Sequence, residues 1–152
     1  MQIANAELSN AAALLKIDNL NLLLPQSEVR SLESAADIDI TGPALHGVGW
    51  ISYAHKRVPV YNLSEALSLL PTRSNERRAC VILTLGSGFI GVLCNDLIIL
   101  KNINFERHAL PLVMRLGDTP VLALAEFEEK LLCMSNAHII TSYIERLVVQ
   151  ED

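Results

Sequence analysis

The run 81–96 reads VILTLGSGFIGVLCND and contains Gly86-Ser87-Gly88-Phe89-Ile90-Gly91, a literal G-x-G-x-x-G after an apolar, strand-like stretch. In a dinucleotide-binding unit such glycines let the backbone approach a pyrophosphate, and the N-terminus of the following helix holds its charge. The chemistry therefore depends on a helix after Gly91. The sequence there is Val92-Leu93-Cys94-Asn95-Asp96-Leu97-Ile98-Ile99-Leu100. As a helix it would be apolar nearly all round, with Asn95 and Asp96 in the interior, where both compete for backbone hydrogen bonds. As a strand, a polar break and a second strand it is consistent throughout. Gly86-Ser87-Gly88 then reads as a hairpin turn, and Gly91 as a point of close packing within a strand.

Other reactive groups give no constellation. His46, His55, His108 and His138 share no ligand spacing along the chain, so no metal is expected. There is no G-x-S-x-G, and no cysteine sits in a catalytic setting. Glu126, Glu128 and Glu129 cluster where a turn between two strands is expected, so they read as a solvated hairpin tip rather than an acid–base pair. Cys80, Cys94 and Cys133 are odd in number, far apart and embedded in apolar runs, which reads as free buried thiols. No catalytic residue and no cofactor is assigned. The shortage of catalytic groups favours a protein that works through its surfaces.

The chain that must position those surfaces has 152 residues, enough for one domain or two small subdomains sharing a core. Apolar residues make up 51%, which supports a core and excludes wholesale disorder. Lys and Arg number 12 against 17 Asp and Glu, a net charge of −5. That balance argues against nucleic acid or an anionic membrane as a general partner. No apolar run reaches the length of a membrane span, and Glu7 with no early cation is unlike a signal peptide. A soluble cytoplasmic protein without direct membrane insertion is expected.

Residues 1–12 read as a polar tail. From residue 13 the pattern is strand, Asp18-Asn19 turn, strand; a helix over residues 9–17 is the competing reading of the Ala-rich start. Residues 48–53 and 58–63 form a second pair of apolar runs around the tip Ala54-His55-Lys56-Arg57. Pro59 lies inside the second run, which predicts an edge strand or a bulge. Asn62-Leu63-Ser64-Glu65 has capping-box spacing and predicts a short mid-chain helix over residues 66–70, stopped by Pro71. Residues 71–78 read as a polar connector. Short apolar runs then follow at barrel-like intervals. Ile140, Tyr143, Ile144, Leu147 and Val148 recur at three–four spacing, predicting an amphipathic helix over residues 136–149.

Three pieces, in this order, resemble the CheW-like family. Leu22-Leu23-Leu24-Pro25 followed by Val29-Arg30-Ser31-Leu32 is similar to the family's apolar strand leading to V-x-E-[IV]. The run 49–63, from Gly49-Trp50-Ile51-Ser52-Tyr53 through Val58-Pro59-Val60 to Asn62-Leu63, is similar to G-x-x-x-x-R-G-x-x-x-P-[VI]-x-D-L. Ile90-Gly91-Val92-Leu93-Cys94-Asn95-Asp96-Leu97 is similar to V-G-[IL]-x-V-D-x-[VL] and places the glycine motif on a family hairpin. The likeness spans residues 14–141. It implies a mostly β fold of two intertwined SH3-like five-stranded β-barrels, with the short mid-chain helix and the C-terminal helix, in a single domain over residues 13–152. It also implies a non-enzymatic adaptor in bacterial chemosensory signalling (a two-component system), docking a CheA-type histidine kinase, a chemoreceptor, or both, through barrel edges and the inter-barrel groove. Oligomeric state is left open. The alternative is a small-molecule-binding or enzymatic β-barrel.

The departures fall at marked positions. Ser31 stands where the family has Glu, Ala54-His55 where it has Arg-Gly, and Asn62 and Asn95 where it has Asp. The candidate partner-binding residues are Val29, Ser31, Leu32, Trp50, Tyr53, Ala54, His55, Lys56, Arg57 and Val58. Val29, Leu32 and Val58 also fit plain core positions, whereas Trp50 and Tyr53 are of the amphipathic aromatic type enriched at interfaces.

Overall fold

The computed structural model describes residues 11–42, 46–86, 88–101, 105–116 and 118–151. The polar tail expected over residues 1–12 lies almost wholly outside them. At its edge, residue 11 already belongs to a strand, β1 (Ala11–Ile17), so the helical reading of that stretch is wrong for its described part. β1 turns at Asp18 (φ 55°) and pairs antiparallel with β2 (Leu20–Pro25), Leu14 opposite Leu23 and Leu15 opposite Leu22.

Among the described residues ten more strands and two α-helices follow: β3 (Val29–Ser34), β4 (Gly49–Tyr53), β5 (Lys56–Leu63), β6 (Leu69–Leu70), β7 (Ala79–Leu85), β8 (Gly88–Cys94), β9 (Asp96–Lys101), β10 (Glu106–His108), α1 (Leu112–Leu116), β11 (Ala123–Phe127), β12 (Lys130–Met134) and α2 (Ala137–Glu151). They form two sheets, β10-β11-β12-β2-β1-β9 and β3-β7-β8-β5-β4, with β6 attached to β5. From residue 11 the chain runs through β1 and β2 of the first sheet, builds the second, and returns to the first at β9. The two SH3-like barrels are intertwined for that reason. The second is drawn closed where Asp39 bridges Trp50 of β4, each N–H donating to the other's carbonyl at 2.8 Å.

β7 shows why the central runs are continuously apolar. Val81 and Leu83 face a core shared with Leu15, Ile17, Leu22 and Leu24 of the first barrel, while Cys80 and Ile82 point into the second barrel. A strand buried on both faces has no polar positions to alternate with. α2 completes the shared core through Ala137, Ile140, Tyr143 and Ile144. Its first turn is capped by Asn136 Oδ1, which accepts the Ile139 N–H at 2.8 Å, and Glu28 accepts the Ala137 N–H at 2.8 Å. The Tyr143 hydroxyl donates to the Leu67 carbonyl at 2.7 Å.

The glycine motif spans a hairpin, not a strand-to-helix turn. Gly86 (φ 55°) begins the turn, and Gly91 lies mid-strand in β8. A Cβ on Gly91 would stand 2.9 Å from Cys80 Sγ and 3.1 Å from Val60 Cγ2, so the glycine permits close packing inside the protein. With no helix after Gly91, the dinucleotide reading falls.

Two local expectations are corrected. Residues 66–70 are not helical; among the described residues the short α-helix is α1. Instead, Leu67 donates to the Ser64 carbonyl at 2.8 Å with a positive φ of 66°, and Leu69–Leu70 pairs with Leu63 and Asn62. The capping-box groups are used elsewhere. The Asn62 amide donates to the Thr72 carbonyl at 2.9 Å, and Glu65 accepts the Asn19 N–H at 2.9 Å. Pro59, in turn, does not mark an edge: β5 lies between β4 and β8. Pro59 sits opposite Trp50, whose own N–H and C=O turn to Asp39, so the missing donor costs no rung to β4. The parallel ladder to β8 is made by Val60 and Tyr61, beyond the proline.

The connector carries the least anticipated feature. Arg77 is 2% exposed. Its Nη1 donates to Asp18 Oδ1 (2.6 Å) and Asn95 Oδ1 (2.7 Å), its Nη2 to Asp18 Oδ2 (3.1 Å) and the Leu63 carbonyl (3.0 Å), and its Nε to Asn62 Oδ1 (3.1 Å). One guanidinium thus joins the β1–β2 turn, the end of β5 and the β8–β9 break. The two asparagines that replace family aspartates meet here, at an internal node rather than on an outer face.

Cys80 and Cys94 are fully buried, and Cys133 is half-buried, more open than expected. Burial pushes the thiols of Cys80 and Cys94 up to about 12, and raises that of Cys133. Since the thiolate is the reactive form, a thiol reagent at pH 8 should leave Cys80 and Cys94 unmodified until the protein unfolds, with Cys133 the first to react. Mass spectrometry of the labelled native protein checks this; early modification of Cys80 or Cys94 would show that the core opens.

Candidate partner-docking surface

The β4–β5 hairpin is built on a two-residue turn, Ala54 (φ 52°) and His55 (φ 62°), between the paired Tyr53 and Lys56. Such a turn matches strand twist but favours Asn or Gly. Its use here, with neither residue, places two exposed side chains at the tip. Lys56 and Arg57, expected within the tip, are the first residues of β5 and are also exposed.

Strand alternation sends the flanking residues to two sides. On the outer side, the Arg57 guanidinium lies 4.8 Å from the Trp50 ring centroid and 3.5 Å from Asp39 Oδ2. It also donates to the Thr41 carbonyl at 3.4 Å, and Trp50 Nε1 donates to the Gly42 carbonyl at 2.7 Å. The Thr41 backbone N–H, its side chain and then Arg57 hold the Asp39 carboxyl below its ordinary value. On the barrel-mouth side, Tyr53 and Phe89 meet edge to face at 5.0 Å and 84°, and Lys56 Nζ stands 5.6 Å from the Phe89 ring centroid. The Tyr53 hydroxyl reaches the Arg30 carbonyl at 3.5 Å. Trp50 and Phe89 thus each carry a cation over the ring face, and such pairs contribute roughly 0.5–1 kcal/mol when exposed, while Tyr53 is held by Phe89 and the Arg30 carbonyl.

Tyr53 brings the hairpin next to β3, a strand distant in sequence. There Leu32 is 47% exposed, while Ser31 is half-buried with its hydroxyl bonded to the Glu33 carboxylate. Val29 is half-buried against the shared core. Val58 is 2% exposed and packs inside the second barrel, so it supports the hairpin and is removed from the set of contact residues. The arrangement adds Arg30, Asp39 and Phe89, which the sequence reading did not single out. Phe89, an aromatic just past a Gly-Ser-Gly turn, carried a usable signal. Asp39, in a polar stretch, carried none.

A cleft of about 700 Å³ opens beside this surface, lined mainly by Ala35, Ala36, Ile38, Ile40, Val48 and Pro71. Among the described residues no helix is long and apolar enough to cross a membrane.

No family model matches the chain. No curated protein matches it either. Among solved structures, the chain is similar to the scaffolding protein TtCheW from Thermoanaerobacter tengcongensis, with a TM-score of 0.67 at 14% identity, over 86% of this chain and 91% of that one. The fold is CheW-like.

Proposed function

We propose that the chain is an adaptor of a bacterial chemosensory complex, in the cytoplasm, with no catalysis of its own. It docks a CheA-type histidine kinase, a chemoreceptor, or both through barrel edges, the inter-barrel groove and the β4–β5 hairpin. The observation that carries this reading is the match to a scaffolding protein over 86% of this chain and 91% of that one. The hairpin supports it. Trp50, Tyr53 and Phe89 offer ordered aromatic surface of the kind enriched at interface centres. Lys56 and Arg57 put cations on a chain of net charge −5, suited to steering an acidic partner.

Co-purification with a co-encoded kinase and chemoreceptor, each presented separately, tests the reading. At least one should be retained through size exclusion at physiological salt; retention of neither would sink it.

A further inference from the structure

Ligand spacing along the chain marks no metal site, but strand register gathers metal-ligating groups across two strands. Glu106 and His108 stand two apart on β10 and share a face. Glu126 of β11 is directly opposite Glu106. The backbone pairing, rather than a choice of rotamers, thus brings two carboxylates and an imidazole together. Their donor atoms all lie within 4.8 Å of one another. His108 Nε2 is 3.3 Å from Glu126 Oε1 and 3.9 Å from Glu106 Oε1. Though the His108 side chain is 41% exposed, this nitrogen is shielded from solvent and has no hydrogen-bond partner. It stands within 4 Å of a carboxylate oxygen of each glutamate.

Like charges directly opposite across strands are unfavourable unless something neutralises them. We propose that Glu106, His108 and Glu126 bind one divalent transition-metal ion of the zinc type. The donor set fits: imidazole with carboxylate oxygens suits zinc and its neighbours, whereas magnesium and calcium take oxygen alone. Bonds of about 2.0–2.1 Å in a tetrahedron require donors roughly 3.4 Å apart. The His108–Glu126 separation is already there. Glu106, 72% exposed, lies 3.9 Å from His108 Nε2 and within 4.8 Å of the Glu126 donor, so its carboxylate has to swing inward by about 0.5–1.4 Å to complete the set. Three protein ligands leave a position for water or for a side chain of a second protein.

The test is calorimetric titration of the chelator-treated full chain with Zn²⁺. One ion per chain is expected, and H108A and E126Q should each weaken binding about 10-fold or more. The double variant Glu128→Gln with Glu129→Gln, at the nearby hairpin tip, should bind as the unaltered protein does. Circular dichroism verifies that each variant is folded; His108→Gln replaces H108A if that one is not. X-ray absorption should find one imidazole nitrogen among oxygen donors. The proposal is overturned if H108A or its replacement binds zinc as tightly as the unaltered chain. It is equally overturned if the unaltered chain shows no saturable binding up to about 1 mM, an affinity of only ~4 kcal/mol.

Discussion

Arg77→Leu should destabilise the protein by roughly 2–4 kcal/mol, since buried acceptors that lose a donor cost about 1–3 kcal/mol each, whereas the half-exposed Asp18 is left in contact with water. The side chain is 2% exposed and makes five donor contacts. Its loss leaves the Asn62 oxygen without its Nε donor and takes a donor from the Leu63 carbonyl in the interior, and unpaired buried acceptors cost the desolvation they had already undergone. For a chain of this length the melting temperature should drop by on the order of 10 °C. Arg78, adjacent in sequence but exposed, is the control: Arg78→Gln should change stability by no more than ~0.5 kcal/mol. The node also predicts an acid effect. The hydrogen bond from Arg77, then its charge, lowers the Asp18 carboxyl below its ordinary 3.8. A carboxyl depressed in the folded state contributes stability that is full above the unfolded value and lost as pH falls through the folded one. Wild type should therefore lose part of its stability below about pH 4, and Arg77→Leu should show a shallower loss there. A melting temperature within a degree or two of wild type, about 0.5 kcal/mol, would show that the node does not hold the barrels together.

The second large effect concerns binding. Lys56→Glu combined with Arg57→Glu should weaken the complex with the partner by roughly 1–3 kcal/mol, or about 5- to 150-fold. Both cations are exposed, each lies over an aromatic ring, and reversal turns an attractive rim repulsive toward an acidic partner. The same contacts mean the substitution is not silent in the free protein. The two cation–aromatic pairs are lost at roughly 0.5–1 kcal/mol each, so thermal stability should fall slightly. Titration at two salt concentrations separates the contributions. The wild-type advantage should shrink at high salt if steering dominates, and persist if the packed aromatics do. Equal affinity of wild type and variant would move the docking surface to the groove between the barrels.

Much of the fold was legible because its signals were redundant. The Asp18-Asn19 turn, the polar break at Asn95 and the three–four spacing in α2 each had a local physical cause that the tertiary structure did not override. The segment after Leu63 was misread because its capping residues had better partners at a distance: Asn62 in the connector and Glu65 on the β1–β2 turn. A turn of helix that short has little stability of its own to resist them. Arg77 was invisible for a related reason. In a polar stretch with two adjacent arginines, nothing local says which one is buried. The candidate surface was half legible. Trp50, Tyr53, Lys56 and Arg57 declare themselves by type, but Asp39, Phe89 and Arg30 join them only through barrel closure, and the Glu106–His108–Glu126 set only through strand register.

Docking through the β4–β5 hairpin and the adjacent β3 is tested most directly by amide hydrogen exchange of the chain, free and saturated with the co-encoded kinase or receptor. The account predicts new protection over residues 52–57 and 30–32, with little change over β11 and β12. Saturated complex with protection confined to the first barrel, and none at the hairpin or β3, would contradict it.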